Sequence, residues 1–187
     1  LYWTISFPKH LADLDLIKLL SNTALLVILS SFVLISLSFI SNYGNRVTRS
    51  KFLNLLTTFS VSGYAIPGII LAVAFITFVS WLDNNVISFF GFKNVKSIFI
   101  GSVLGLVLVY FIRFYSLASN GIKSGYLKIN YSIDESAYLL GYSKFKTFTN
   151  IHIPYLKNSI LLIGVLIAIE IIKELPITLI MRPFNFE

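Results

Sequence analysis

The sequence predicts an all-α, polytopic membrane protein, and three observations support this prediction. Of the 187 residues, 56% are hydrophobic and only 12% are charged, and the mean hydropathy is +0.83. Ordinary soluble domains are about 45–50% apolar and about 25% charged, so this chain lacks the charge that a water-facing surface requires. Its apolar residues also gather in stretches near the roughly 20 residues that a helix needs to cross hydrocarbon. Unpaired backbone amides in lipid are costly, so these stretches are expected to be helical.

Four membrane spans are predicted in this way. The first carries no charge, and the second ends beside Trp81, a residue type common at membrane interfaces. The third contains Gly101 and Gly105, whose spacing permits close contact with another helix or is merely tolerated in a helix that faces lipid. The predicted spans cover residues 21–40, 65–82, 98–117 and 158–181.

The basic residues predict the orientation of the chain. Because Lys and Arg concentrate in cytoplasmic connections, the side with more of them is predicted to be cytoplasmic. That side has nine, namely Arg46, Arg49, Lys51, Arg113, Lys123, Lys128, Lys144, Lys146 and Lys157. The opposite side has four, namely Lys9, Lys18, Lys93 and Lys96. This orienting role accounts for the net charge of +7, so no nucleic acid partner is expected.

A polar segment at 130–157, on the predicted cytoplasmic side, is expected to form two short helices that meet at a glycine corner. Ser132 and Glu135 have the spacing of a capping box, which predicts a first helix from Ile133. Gly141 stands where a left-handed residue would end that helix.

The second short helix is predicted to begin after Ser143, a favourable capping residue, and to run through about Asn150. Pro154 lacks a backbone donor and disfavours helix at Ile153, so a break is expected there. Such a pair of helices presents small and aromatic side chains at the membrane surface. Its shape suits docking into a groove of another protein.

Several residues of this segment resemble the EAA loop of ABC importer permeases, whose pattern is E-A-A, three residues, G, nine residues and I-x-L-P. The matching residues are Glu135, Ser136, Ala137, Gly141, Ile151 and Pro154. Ser136 replaces an Ala of the family and Ile153 a Leu. In that family the loop forms coupling helices that dock on a separate ATPase. The resemblance therefore implies the ABC importer permease fold and a role for these six residues in ATPase coupling.

Two further stretches narrow the resemblance. YAIPG at 64–68 looks like the opening of a permease helix, and KELPITLIMRPFNF at 173–186 resembles a stretch of bacterial ferric iron permeases. In that family each long permease chain contains two similar halves. The resemblance implies that residues 1–187 are a single transmembrane permease domain from a C-terminal half, located in the bacterial inner membrane.

The sequence lacks the motifs of an enzyme. No G-x-x-x-x-G-K-[ST] is present, so ATP and Mg are expected to be bound by a partner and no cofactor by this chain. The chain has no cysteine, and its two histidines fall on opposite predicted sides, so no metal site and no catalytic residue are assigned. The implied partners are a dimer of ABC ATPase subunits, an extracytoplasmic substrate-binding protein, a second permease half and the lipid bilayer.

One cluster of charge is predicted at membrane depth, formed by Glu170, Lys173 and Glu174, with Pro176 expected to open the backbone at Leu175. Ionisable groups at this depth usually face a bundle interior or water. Two interpretations remain open. The cluster is either a helix-end ion pair that reaches the interface, or a gate or passage for a cation, since carboxylates suit hard metal ions.

Together these features predict the membrane-spanning subunit of an ATP-driven importer that works by alternating access. Ferric iron is the first substrate hypothesis, from the resemblance at 173–186. Importers of thiamine, polyamines or phosphonates are closer alternatives. A secondary transporter or a channel is a more distant one, because it would need no ATPase and would leave the paired inner helices without a purpose.

Overall fold

The structure is a computed structural model that describes residues 16–48, 51, 54, 55, 58, 61–90 and 99–183, without the side chains of 61 and 87–90. Within these residues the regular structure is helical throughout, as predicted. The helices are α1 (Leu16–Thr48), a 3₁₀ helix (Val61–Ala65), α2 (Gly68–Phe90), α3 (Val103–Tyr126), α4 (Tyr131–Leu139), α5 (Lys144–Thr147), a π-helical turn (Phe148–His152), α6 (Ile153–Lys173) and α7 (Leu175–Met181).

Four helical stretches are long and apolar enough to cross a membrane, which confirms the predicted number. They are Leu16–Thr48, Gly68–Val86, Val103–Tyr126 and Lys144–Lys173. Many large apolar side chains on them point away from the bundle, including Ile17, Phe32 and Leu162, each exposed by more than two thirds. A surface of this kind suits contact with lipid tails. The length of the helices and their apolar surface both indicate a membrane protein.

The predicted bounds of the third span are wrong. The span was placed at 98–117, but α3 begins at Val103 and continues to Tyr126. Gly101 has a φ of 67°, a left-handed conformation, and the Ser102 side chain caps the helix by accepting from the Gly105 amide. Gly101 and Gly105 therefore do not form a contact surface for another helix. Gly101 precedes α3, and Gly105 lies against the Phe99 carbonyl of the preceding turn.

This shift changes the place of Arg113. The residue was counted among the nine cytoplasmic bases, but it lies about 15 Å along α3 from Val103, in the middle of a helix about 36 Å long. Seven of the other eight bases assigned to the richer side lie in the described residues and Arg49 lies outside them, so the richer side stays the same. Lys9, Lys93 and Lys96 of the opposite side lie outside the described residues.

The centre of the bundle is α3, whose Tyr110, Phe114 and Ile122 are essentially fully buried. α1 runs parallel to α3, with the Ser41 hydroxyl 2.6 Å from the Tyr115 hydroxyl. The side-chain amide of Asn42 donates to the carbonyl and hydroxyl oxygens of Ser119, one turn further along α3.

α6 packs against both α3 and α1, and it runs antiparallel to α3. A Cβ atom at Gly121 would lie 2.6 Å from the Ile163 side chain, and one at Gly125 would lie 2.9 Å from Leu156. Glycines four residues apart thus allow the two helices to approach closely. The sequence had suggested this role for Gly101 and Gly105.

α2 and α7 lie side by side and run in the same direction, with Gly68 beside Ile177 and Ile76 near Leu179. Near the other end of α2, the Asp83 carboxylate is buried and accepts hydrogen bonds from the Phe99 and Ile100 amides at 3.2 and 3.3 Å. These two bonds connect α2 to the turn before α3, and the sequence did not predict this contact.

Candidate functional site

The first helix of the polar segment begins earlier than predicted, because Asn130 and not Ser132 is its capping residue. The Asn130 side chain accepts from the Ser132 amide at 3.4 Å, and α4 starts at Tyr131. The predicted Ser132–Glu135 capping box is therefore wrong. Ser132 lies within the first turn, and its carbonyl accepts from the Ser136 hydroxyl at 2.8 Å. Asn is as good a cap as Ser, so residue type alone does not decide between Asn130 and Ser132.

The glycine corner has the conformation that the sequence predicted. Gly141 has a φ of 81°, and its amide donates to the Tyr138 carbonyl at 3.0 Å. The Tyr142 amide donates to the Ala137 carbonyl, also at 3.0 Å. These two bonds form a Schellman motif, which satisfies the last carbonyls of α4 and turns the chain sharply toward α5.

The second helix has the predicted cap but not the predicted end. The Ser143 hydroxyl accepts from the Lys146 amide at 3.3 Å. α5 then passes through the π-helical turn directly into α6, without the break expected at Ile153. In this wider turn the Ile153 amide bonds to the Phe148 carbonyl. Pro154 follows in the first turn of α6, where a missing donor is tolerated.

The residues matched to the EAA loop fall on two sides of this corner. Ser136, Ala137 and Ile151 line one groove of about 370 Å³ between α4 and the π-helical turn. Glu135 faces the other side of α4, beside Tyr131, Tyr138 and Lys144. Gly141 and Pro154 are exposed and line neither of these surfaces.

Large apolar side chains project from the corner. Leu139 is 89% exposed, Leu140 78% and Phe145 72%. Leu139 ends α4, Leu140 follows it and lines the groove, and Phe145 lies on α5. Soluble surfaces rarely gather exposed apolar groups of this size without a binding purpose, so we define Leu139, Leu140 and Phe145 as the apolar tip.

The polar segment is fixed to the membrane helices by a buried cluster of charge that sequence analysis missed. Arg46 near the end of α1 contacts Asp134 of α4, with Nε 2.7 Å from Oδ2. The same guanidinium donates to the Ile129 and Asn130 carbonyls, both at 3.0 Å. Arg46 therefore joins α1, the end of α3 and the start of α4 at one point.

His152 completes this cluster from the π-helical turn. It is fully buried, and its Nε2 lies 2.8 Å from Asp134 Oδ1, close but without hydrogen-bond alignment. The rings of Tyr43 and Tyr126 enclose it at centroid distances of 5.1 and 5.4 Å. Asp134 stands in the first turn of α4, and nothing in its local sequence indicates its partners Arg46 and His152.

The charged cluster predicted at membrane depth divides into two separate pairs. Glu170 and Lys173 are paired as expected, at 3.4 Å, but their side chains are 28% and 66% exposed. Glu174 turns inward and pairs with Arg113, with Oε2 2.9 Å from Nε, and these side chains are only 10% and 16% exposed. The inner pair thus includes a base that the sequence had placed in a connection.

The Arg113–Glu174 pair lies where two helices are interrupted. Glu174 has a non-helical conformation, φ −83° and ψ 77°, and separates α6 from α7. The predicted opening near Pro176 is thus present one residue earlier than Leu175, with Pro176 in the first turn of α7. Arg113 also donates to the Ile66 carbonyl, within the YAIPG stretch that precedes α2.

Close packing holds these two interruptions together. A side chain at Gly68 would collide with the Glu174 carboxylate, and one at Gly63 would collide with the Ile112 carbonyl. The Tyr110 hydroxyl lies 2.5 Å from the Thr178 hydroxyl, which adds a polar contact between α3 and α7. The start of α2 and the break before α7 are therefore fixed at the level of Arg113.

Within the described part of the chain, no group of three or more His, Cys, Asp or Glu side chains is arranged to hold a metal ion. A scan of the sequence against models of known protein families found no match, and a search of the curated proteins found no similar sequence. The fold and site define a membrane protein with four helices of spanning length and a clamped helical corner at one end.

Proposed function

We propose that this chain is the membrane-spanning part of an ATP-driven importer of the ABC class in a bacterial inner membrane. The observation that supports this best is the corner formed by α4 and α5. It exposes the apolar tip, turns at a left-handed glycine, and is clamped to α1 and α3 by the buried Arg46–Asp134 pair. A rigid, apolar projection of this kind suits a groove in a partner ATPase subunit.

The connections of the corner suggest how motion would pass to the membrane helices. Movement of an ATPase groove would displace α4 and α5 together. Asp134 links this displacement to Arg46 on α1, and the π-helical turn links it without a break to α6. The spans would then tilt and open the pathway to one side of the membrane at a time, with a binding protein delivering the substrate outside.

The proposed substrate is ferric iron, which the resemblance of residues 173–186 supports. Residues 173–183 of that stretch include Glu174 and the break before α7, at the level of Arg113. Substrate pathways in transporters commonly pass such interrupted helices near the middle of the membrane. Glu170, Lys173, Glu174 and Pro176 therefore remain the proposed pathway or gate, with Arg113 as the inner partner of Glu174.

The coupling proposal is tested by changing the corner while leaving the apolar tip intact. Gly141→Val should lower both ATPase association and transport, because a β-branched residue is strained at a φ of 81°. A Cβ atom there would contact nothing within 4 Å, so the effect is one of backbone conformation alone. Gly141→Asn is the matched control, because Asn adopts the left-handed region at lower cost.

The measurements are co-purification of the ATPase subunits and uptake by the reconstituted complex. Normal values for Gly141→Val would reject coupling through this corner, and transport without any ATPase would indicate a secondary transporter or a channel. Radioactive ferric iron, thiamine, a polyamine and a phosphonate are compared as substrates in the same vesicles. Uptake of another compound in place of iron would reject the iron assignment and keep the importer proposal.

A further inference from the structure

We infer that the basic end of the bundle contains a binding site for the phosphate group of an anionic phospholipid. A cavity of about 660 Å³ opens there between the end of α1 and the end of α3, and this volume is within the range of small-molecule sites. Its lining includes Arg46, Lys51, Lys123 and Lys128. We call it the basic cavity. The proposed transport mechanism uses Arg46 through its pair with Asp134, but it gives no role to the cavity or to its lysines.

The charge in the basic cavity is of one sign. Its described lining contains four bases and no carboxylate. Arg46 is already paired with Asp134, but Lys51, Lys123 and Lys128 form no ion pair with any residue that the structure describes. Three uncompensated ammonium groups around one concave surface create a positive potential that attracts an anion.

One wall of the basic cavity is fixed before any ligand arrives. Asn42 is held by Ser119, and Arg46 is held by its ion pair and two carbonyls. The Asn45 side-chain amide donates to Asn54 at 3.4 Å. The lysines are exposed and free to close over a ligand from this wall, so ordering a phosphate there would require little rearrangement of the backbone.

The depth of the basic cavity selects a lipid headgroup as its occupant. The apolar run of α1 ends at Ile40, so Asn42 lies about 3 Å and Arg46 about 9 Å beyond it. The headgroups add roughly 5–8 Å to each side of the hydrocarbon, so Asn42 lies at their level and Arg46 at their outer edge. Leu127, in the lining, is 81% exposed and is placed to contact the glycerol or acyl part of a lipid. Basic pockets between membrane helices are known to take anionic headgroups.

The test compares lipids on the delipidated full-length protein by native mass spectrometry, which gives a dissociation constant for each bound lipid. Phosphatidylglycerol should bind more tightly than phosphatidylcholine. The double change Lys123→Gln with Lys128→Gln should weaken phosphatidylglycerol binding about fivefold for each lysine, hence about 25-fold in total. Lys123→Arg with Lys128→Arg should restore the affinity, which excludes loss of folding as the cause.

The matched control is Lys144→Gln with Lys146→Gln, which removes the same charge from exposed positions outside the basic cavity. An equal loss of affinity in this control would overturn the site, because it would show attraction to the surface as a whole. Glycerol 3-phosphate separates a free phosphate from a lipid. If it binds as tightly as phosphatidylglycerol and Leu127→Ser changes neither, the lipid assignment is wrong. A preference for phosphatidylglycerol that Leu127→Ser reduces supports it.

Discussion

The Arg113–Glu174 pair shows how a single residue pair can set the path of the chain through a membrane. Each charge alone would be expensive at the middle of α3, because both side chains are largely buried. In the pair, the Arg113 guanidinium donates to both the Glu174 carboxylate and the Ile66 carbonyl. Those acceptors come from the two places where helices are interrupted, so the pair stabilises both interruptions.

Removal of the acid should therefore be costly. Glu174→Gln leaves Arg113 buried without its partner, and we expect a loss of about 3–5 kcal/mol in the free energy of unfolding. The double change Glu174→Gln with Arg113→Met should recover much of this loss, because no unpaired charge remains. Thermal unfolding of the purified protein in detergent measures both.

The neighbouring acid provides the control for this prediction. Glu170→Gln breaks a pair in which Lys173 is 66% exposed, so its effect on stability should stay within about 1 kcal/mol. If Glu170→Gln destabilised the protein as much as Glu174→Gln, the assignment of Glu174 as the buried partner would be wrong.

Local sequence signals succeeded where the deciding contact is close along the chain. Gly141 and Ser143 cap helices through neighbours within a few residues, and both were predicted. Arg46 and Asp134 are 88 residues apart, and Arg113 and Glu174 are 61 apart. The residues next to such side chains in the sequence do not indicate that the side chains are buried. Their charge instead suggested exposure to water.

At the level of elements, composition predicted the number of spans but not the end of each helix. α3 continues beyond the predicted residue 117 because its polar final turns are buried against α1 and α6 rather than placed in a loop. The break expected at Pro154 is absent because the π-helical turn accommodates the missing donor. Both outcomes depend on contacts with neighbouring helices, and the periodicity of apolar residues does not reveal these contacts.

The attachment of α4 is the element whose stability can be tested most directly. Asp134→Asn removes the acid that links Arg46 and His152, so α4 should detach from α1 more often. We expect amide hydrogen exchange to accelerate across Tyr131–Leu139, while exchange in the centre of α3 stays slow.

Glu135→Gln is the comparison variant, because this neighbouring carboxylate is exposed and lies outside the buried cluster. It should leave exchange in α4 unchanged. Equal acceleration in the two variants would mean that helix-terminus charge, rather than the buried cluster, holds α4 in place.

For the whole molecule, the direction of the helices follows from their contacts, but the side of the membrane depends on charge. α1 and α3 run toward the clamped corner, and α2 and α6 run away from it. Of the nine bases assigned to the richer side, seven lie at this end in the described residues, Arg113 lies inside α3, and Arg49 is outside the described residues. The positive-inside rule then predicts that the corner, the basic cavity and the apolar tip all face the cytoplasm.

Single cysteines test this orientation, because the chain has none of its own. Asn150→Cys in the π-helical turn and Asn84→Cys near the far end of α2 are both exposed positions. In intact cells an impermeant thiol reagent should label the Asn84→Cys variant and spare the Asn150→Cys variant, and after the membrane is opened it should label both. Labelling of Asn150→Cys alone in intact cells would invert the topology, and the corner would then face away from any source of ATP.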